Sequence, residues 1–66
     1  MSYTVKQARR IAEKSQTDAA KAIGVCLSTY RKLEEAPENM TIKQAMTAAK
    51  FFGIPYDDIF FASNSN

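Results

Sequence analysis

The stretch QTDAAKAIGVCLSTYRKL, residues 16–33, decides how this chain folds. Two short apolar patterns flank a single glycine. Before it, Ala19, Ala20 and Ile23 recur at helical spacing, and after it Tyr30 and Leu33 do the same. Gly24 stands directly behind the last periodic residue of the first pattern, where a helix ends in a left-handed residue and only glycine is free of a Cβ penalty. Val25 is apolar and plugs the turn, and Ala20 is small enough for two helix backbones to approach at a steep angle. The segment therefore reads as a short helix over about residues 16–23, a sharp turn, and a second helix over about 27–35: a helix-turn-helix. Gly24→Val is expected to unfold it, through a clash at positive φ.

Upstream, Ser2 or Thr4 caps a first helix over about residues 4–14. Val5, Ala8, Ile11 and Ala12 face inward, with Lys6, Arg9, Arg10 and Glu13 between them. Ser15 is the N-cap of the second helix, with Asp18 three residues on. Downstream, Ala36 to Asn39 form a loop marked by Pro37. Thr41 caps a fourth helix (about 41–52) on which Ile42, Ala45, Met46, Ala49 and Phe52 mark one face, and Gly53 ends it. Pro55 opens a short fifth helix (about 55–61), with Asp57 and Asp58 in its first turn and Ile59 and Phe60 inward; residues 62–66 read as a polar tail. The expectation is an all-α, compact five-helix domain covering residues 1–66, with no strand.

Composition narrows the function. At 66 residues, folding buries only about 60% of the surface the unfolded chain exposes, so every apolar position counts. A lone Cys26 can form neither an internal disulfide nor a metal site, which fits a reducing cytoplasm. There is no histidine, no carboxylate pair in an evident cleft and no phosphate-binding loop, so no enzyme activity, metal, cofactor or small-molecule substrate is expected. No apolar run approaches the roughly 20 residues of a membrane span, and no signal-peptide pattern opens the chain. A net charge of +2 matters less than where the charges lie.

From Val5 to Phe60 the chain resembles the Cro/C1-type (lambda repressor-like) helix-turn-helix family of phage repressors, Cro proteins and small bacterial regulators. The residues that carry the resemblance are Gln16 opening the second helix, the Ala20-x-x-x-Gly24 spacing and the Leu33–Glu34 pair. The closing Ala49-x-x-x-Gly53-Ile54 and Asp57-x-Ile59-Phe60 complete it. This resemblance implies a sequence-specific transcriptional regulator of double-stranded DNA, a phage or prophage Cro-like repressor that lays its third helix in the major groove. It places Leu27, Ser28 and Lys32 on base edges and Arg31 at the groove edge. Gln16 falls on a phosphate, and Asn39, Thr41 and Lys43 on the backbone at the other side. It also makes Arg9 and Glu34 a structural ion pair between the first and third helices. The chain departs from the family where Asn-Gly often follows the third helix: here stand Glu35 and Ala36, then Pro37 and Glu38. Glu34, Glu35 and Glu38 thus lie near the expected phosphate path, where carboxylates repel DNA. The alternative is a protein-interaction module of the same fold (an anti-repressor, adaptor or antitoxin) with weak or no DNA binding.

Several side chains carry two readings. Arg31 stands four residues before Glu35, so it either pairs within its helix or meets DNA. Cys26 occupies a helix start usually held by Ser or Thr and reads as a small substitute for them, the alternative being a redox sensor whose sole hint of activation is that helix end. Tyr30 reads as core with its hydroxyl at the rim, against base stacking, and Met40 and Met46 as packing, against a binding surface. Phe61 is either a lone exposed aromatic or part of a two-fold interface with Tyr56 and Phe60, which would make a homodimer on a palindromic operator.

Overall fold

Thr4 and Gln7 close the start of the first helix, α1 (Val5–Ile11), in the computed structural model, which describes residues 2–61 apart from the Phe60 side chain. Thr4 Oγ1 accepts from the Gln7 N–H at 3.0 Å, and Gln7 Oε1 accepts from the Thr4 N–H at 2.9 Å. Thr4 is therefore the cap, and Ser2 is not. The second helix, α2 (Gln16–Ile23), starts on Ser15, whose Oγ accepts from the Asp18 N–H at 2.9 Å. The third, α3 (Leu27–Glu35), follows the glycine turn, and one 3-10 turn over Pro37–Asn39 leads to the fourth, α4 (Ile42–Phe52). There the α1 device repeats: Thr41 and Gln44 exchange two hydrogen bonds of 3.0 Å each.

α1 stops at Ile11, short of the residue 14 that its periodicity suggests, because Glu13 turns left-handed at φ 59°. The Glu13 N–H then bonds to the Arg10 carbonyl at 3.0 Å and the Lys14 N–H to the Arg9 carbonyl at 3.1 Å. Gly24 (φ 80°) and Gly53 (φ 71°) end α2 and α4 with the same nested bonds, Val25 reaching Ala20 and Ile54 reaching Ala49. One closing motif thus recurs, with a glutamate once in the glycine's place. A Cβ built on Gly24 meets nothing within 4 Å. The cost of a side chain here therefore starts with the left-handed backbone itself, which a β-branched valine tolerates worst.

The fifth helix does not form. After Pro55 the chain makes one 3-10 turn, Tyr56–Asp58, and then extends. Ile59–Phe60 (β2) pairs in parallel with Tyr3–Thr4 (β1), Tyr3 opposite Ile59 and Thr4 opposite Phe60. The β-branched and aromatic run from Ile59 to Phe61 favours extended backbone, and pairing gives the two chain ends hydrogen-bond partners. The described fold is four α-helices and this short ladder, in place of five helices without a strand. The inward place assigned to the Phe60 side chain, and the polar tail of residues 62–66, lie outside the described residues. No described helix is long and apolar enough to cross a membrane.

The core is built largely of alanine: Ala8, Ala19, Ala20, Ala48 and Ala49 pack with Val5, Tyr30, Phe52 and Ile59. Small side chains let four helices approach closely, and Tyr30, with no exposed surface, fills the space they leave. Two helix faces differ from their periodicity. On α4 the buried face is Ala45, Ala48, Ala49 and Phe52, while Ile42 (73% exposed) and Met46 (57%) lie outside it. They sit roughly 70–110° round the helix from the centre of that face. On α1, Val5, Ala8 and Arg9 are buried and Ile11 is exposed.

Candidate nucleic-acid interface

Glu34, near the end of α3, is the point where three helices are tied together. Its Oε2 accepts from Arg9 Nε of α1 at 2.6 Å and from the Tyr30 hydroxyl at 2.6 Å. Its Oε1 accepts from Gln16 Nε2, at the start of α2, at 3.2 Å. Arg9 also gives Nη1 to the Lys14 carbonyl at 2.8 Å, which fixes the turn between α1 and α2. No buried side-chain nitrogen or oxygen among the described residues lacks a partner. Burial pushes the Glu34 carboxyl up, but hydrogen bonds from Arg9, Tyr30 and Gln16 outweigh it and hold the pKa below the usual carboxylate range. Burial first, and the Glu34 bond and charge second, push the Tyr30 phenol well above its ordinary value. Arg9 and Glu34 form an ion pair, and the Tyr30 hydroxyl is sealed inside instead of lying at the rim.

This geometry removes Glu34 from the expected ring of repelling carboxylates. Its charge is met by Arg9 and its side chain is nearly inaccessible, which leaves Glu35 and Glu38 as the exposed acidic pair. The Arg31–Glu35 pairing does not appear among the described ion pairs. Arg31 Nε instead donates to Gln16 Oε1 at 3.2 Å. Gln16 therefore stands between a carboxylate and a guanidinium, a junction that periodicity in the chain does not announce. Its only trace in the sequence is that Gln16, Arg31 and Glu34 all fall on positions the family pattern marks.

The outer surface of α3 carries Ser28, Arg31 and Lys32, all exposed, and Leu27, half-buried at its start. The first turn of α3 is tied back on itself. Cys26 is the N-cap by position but makes no side-chain cap bond, so it does not reproduce the Ser or Thr it replaces. Its Sγ lies 3.3 Å from Ser28 Oγ and 3.2 Å from Thr29 Oγ1. The Ser28 hydroxyl, then that of Thr29, lower the exposed thiol's pKa to about 7.

The start of α4 lies beside the end of α2. Lys21, Gly24, Thr41, Lys43 and Thr47 border one shallow depression there, so Lys43 and Thr41 are joined by a lysine from α2. Asn39 is exposed at the end of the 3-10 turn, with its N–H spent on the Ala36 carbonyl at 2.9 Å. At the far end of α4, Tyr56 and Phe61 stack with ring centroids 5.1 Å apart. Phe61 is half-buried against the core, so it is not a lone exposed aromatic, while Tyr56 is 42% exposed.

A helix-turn-helix family model matches residues 5–59, nearly the span of the described elements. An uncharacterized HTH-type transcriptional regulator of Methanocaldococcus jannaschii is 35% identical over 60 residues, covering 91% of each chain. No solved structure matches the chain significantly. With the glycine turn, the Arg9–Glu34 tie and the exposed α3 surface in place, the chain belongs to the Cro/C1-type helix-turn-helix family.

Proposed function

We propose that this chain is a sequence-specific repressor of Cro-like type that reads the major groove of double-stranded DNA with α3. Family membership and the similarity to an HTH-type transcriptional regulator support the coarser statement, a DNA-binding transcriptional regulator. One observation favours the finer one: α3 is anchored from behind by Tyr30, Leu33 and Glu34 and leaves Ser28, Arg31 and Lys32 exposed. Lys32 donates to guanine O6 or N7, Ser28 bonds either base type, and Leu27 meets a thymine methyl. Gln16 and Arg31 on one side, and Asn39, Thr41 and Lys43 on the other, serve the backbone. The exposed Tyr56 ring, stacked on Phe61, supports a two-fold interface with Phe60 that spaces two α3 helices across a palindromic site.

The test is selection of bound duplexes from random DNA, then titration of the recovered site at several salt concentrations. Affinity is expected to fall steeply with salt, and Lys32→Ala to weaken the selected site by about 1–3 kcal/mol while relaxing preference at one position. A protein that binds no duplex better than millimolar at low salt would sink the proposal. The exposed Ile42 and Met46 on α4 would then favour the second reading, a protein-interaction module of the same fold.

A further inference from the structure

Glu34 Oε2 is occupied by Arg9 and Tyr30, which leaves Oε1 as the acceptor facing Gln16. An ionised carboxylate only accepts and a guanidinium only donates, so the chemistry of its two neighbours sets which way the Gln16 amide points. Nε2 must face Glu34 and Oε1 must face Arg31, and the observed bonds of 3.2 Å on each side have that sense. The Arg31 bond uses Nε, and among the described residues nothing bonds to its two terminal nitrogens, whose N–H groups can pair with a tetrahedral oxyanion. A long exposed arginine ordinarily gives up several rotamers to bind, and here one end of its fork is already held.

We propose that Gln16 and Arg31 form a preassembled phosphate fork, in which Arg31 contacts one DNA backbone phosphate and Gln16 acts through it as a positioning residue. The proposal rests on the reading of this chain as a DNA binder. It differs from that reading by giving Gln16 no phosphate of its own: the buried Arg9–Glu34 pair orients Gln16, and Gln16 orients Arg31. The contact carries no sequence information, so it acts equally on every duplex.

A double-mutant cycle on the full chain tests it, with affinity for a selected and a random duplex measured against salt. Arg31→Ala is expected to weaken both duplexes alike and to reduce the salt slope by about one. Gln16→Met keeps the helix and the side-chain volume but cannot hold Nε. It is expected to weaken both duplexes roughly 3- to 10-fold, the range of one net hydrogen bond, and to have no effect in the Arg31→Ala background. Arg31→Lys keeps the charge without an Nε and should behave like Gln16→Met, insensitive to residue 16. In the free protein, the Arg31 Nε–H should exchange with water more slowly than that of the exposed Arg10, and lose that protection in Gln16→Met. Equal effects of Gln16→Met with and without Arg31 would mean that Gln16 meets DNA by itself, and the fork would be wrong. So would an Arg31 Nε–H that exchanges as fast as Arg10. If the wild-type chain binds no duplex at all, the DNA reading itself fails and takes the fork with it, whereas an additive cycle on a bound duplex sinks the fork alone.

Discussion

Tyr30 donates its hydroxyl to Glu34 across 2.6 Å, one turn along α3, at a place where the tyrosine has no exposed surface. The bond joins the largest side chain of the core to the carboxylate that ties the helices together. Tyr30→Phe keeps the ring and removes the donor, so a nearly inaccessible carboxylate loses one of its partners. Hydrogen bonds to charged groups contribute about 1.5–3 kcal/mol, and a loss near 2 kcal/mol is expected from urea unfolding. For a domain this small that is a large share of total stability. A variant as stable as the wild type would show that the hydroxyl contributes nothing to Glu34.

The same network sets an acid limit on stability. The folded Glu34 carboxyl has its pKa below that of the unfolded chain, so it binds its proton less readily when folded. Its contribution is complete above the unfolded value, near pH 4.3, and is lost as pH falls through the folded value. Tyr30 has the opposite sign. Its folded pKa lies above the unfolded value, so stability declines as pH rises past about 10, where the unfolded phenol ionises first. Unfolding free energy measured against pH should therefore fall at both ends. Glu34→Gln should flatten the acid limb and Tyr30→Phe the alkaline one; an unchanged acid limb in Glu34→Gln would contradict the assignment.

Cys26 gives a prediction independent of folding. Its thiol is exposed and titrates near 7, with the Ser28 hydroxyl as the largest cause. Only the thiolate is alkylated, so the rate with iodoacetamide should rise with a midpoint of about 7, below the roughly 8.5 of an ordinary cysteine. Ser28→Ala should move the midpoint upward. A midpoint near 8.5 in the wild type would mean that neither hydroxyl turns toward the sulfur.

The helix-turn-helix and its closing glycine were legible because both rest on local rules: spacing on one helix face, and a left-handed residue after it. Thr4, Ser15 and Thr41 were legible as caps for the same reason. The last segment was not. Whether Ile59–Phe60 continues a helix or extends depends on Tyr3–Thr4, more than fifty residues away, which no local window contains. On α4 the helical spacing admits two overlapping apolar faces, and only packing chooses between them. Ala45, Ala48 and Ala49 win the buried face where backbones come close, and the larger Ile42 and Met46 lie outside. At the candidate site, the exposed residues of α3 followed from family positions, but the Glu34–Gln16–Arg31 chain is a product of how three side chains meet in space.

Glu13 and Gly24 occupy the same place in the same helix-ending motif, one with a side chain and one without. A left-handed residue with a Cβ costs about 1–2 kcal/mol, while glycine loses roughly 0.5–1 kcal/mol more entropy on folding than alanine. The difference makes the two positions mirror experiments. Glu13→Gly should stabilise the chain by up to about 1 kcal/mol, because Glu13 is exposed and forfeits no packing. Gly24→Ala should destabilise it by about 1 kcal/mol and leave it folded, since the added methyl meets nothing within 4 Å. In a domain of this size each change should move the melting temperature by roughly 4–8 °C, upward for Glu13→Gly and downward for Gly24→Ala. If Glu13→Gly lowers the melting temperature, the glutamate side chain stabilises the α1 turn by more than its backbone strain costs, and the shared motif does not govern how α1 ends.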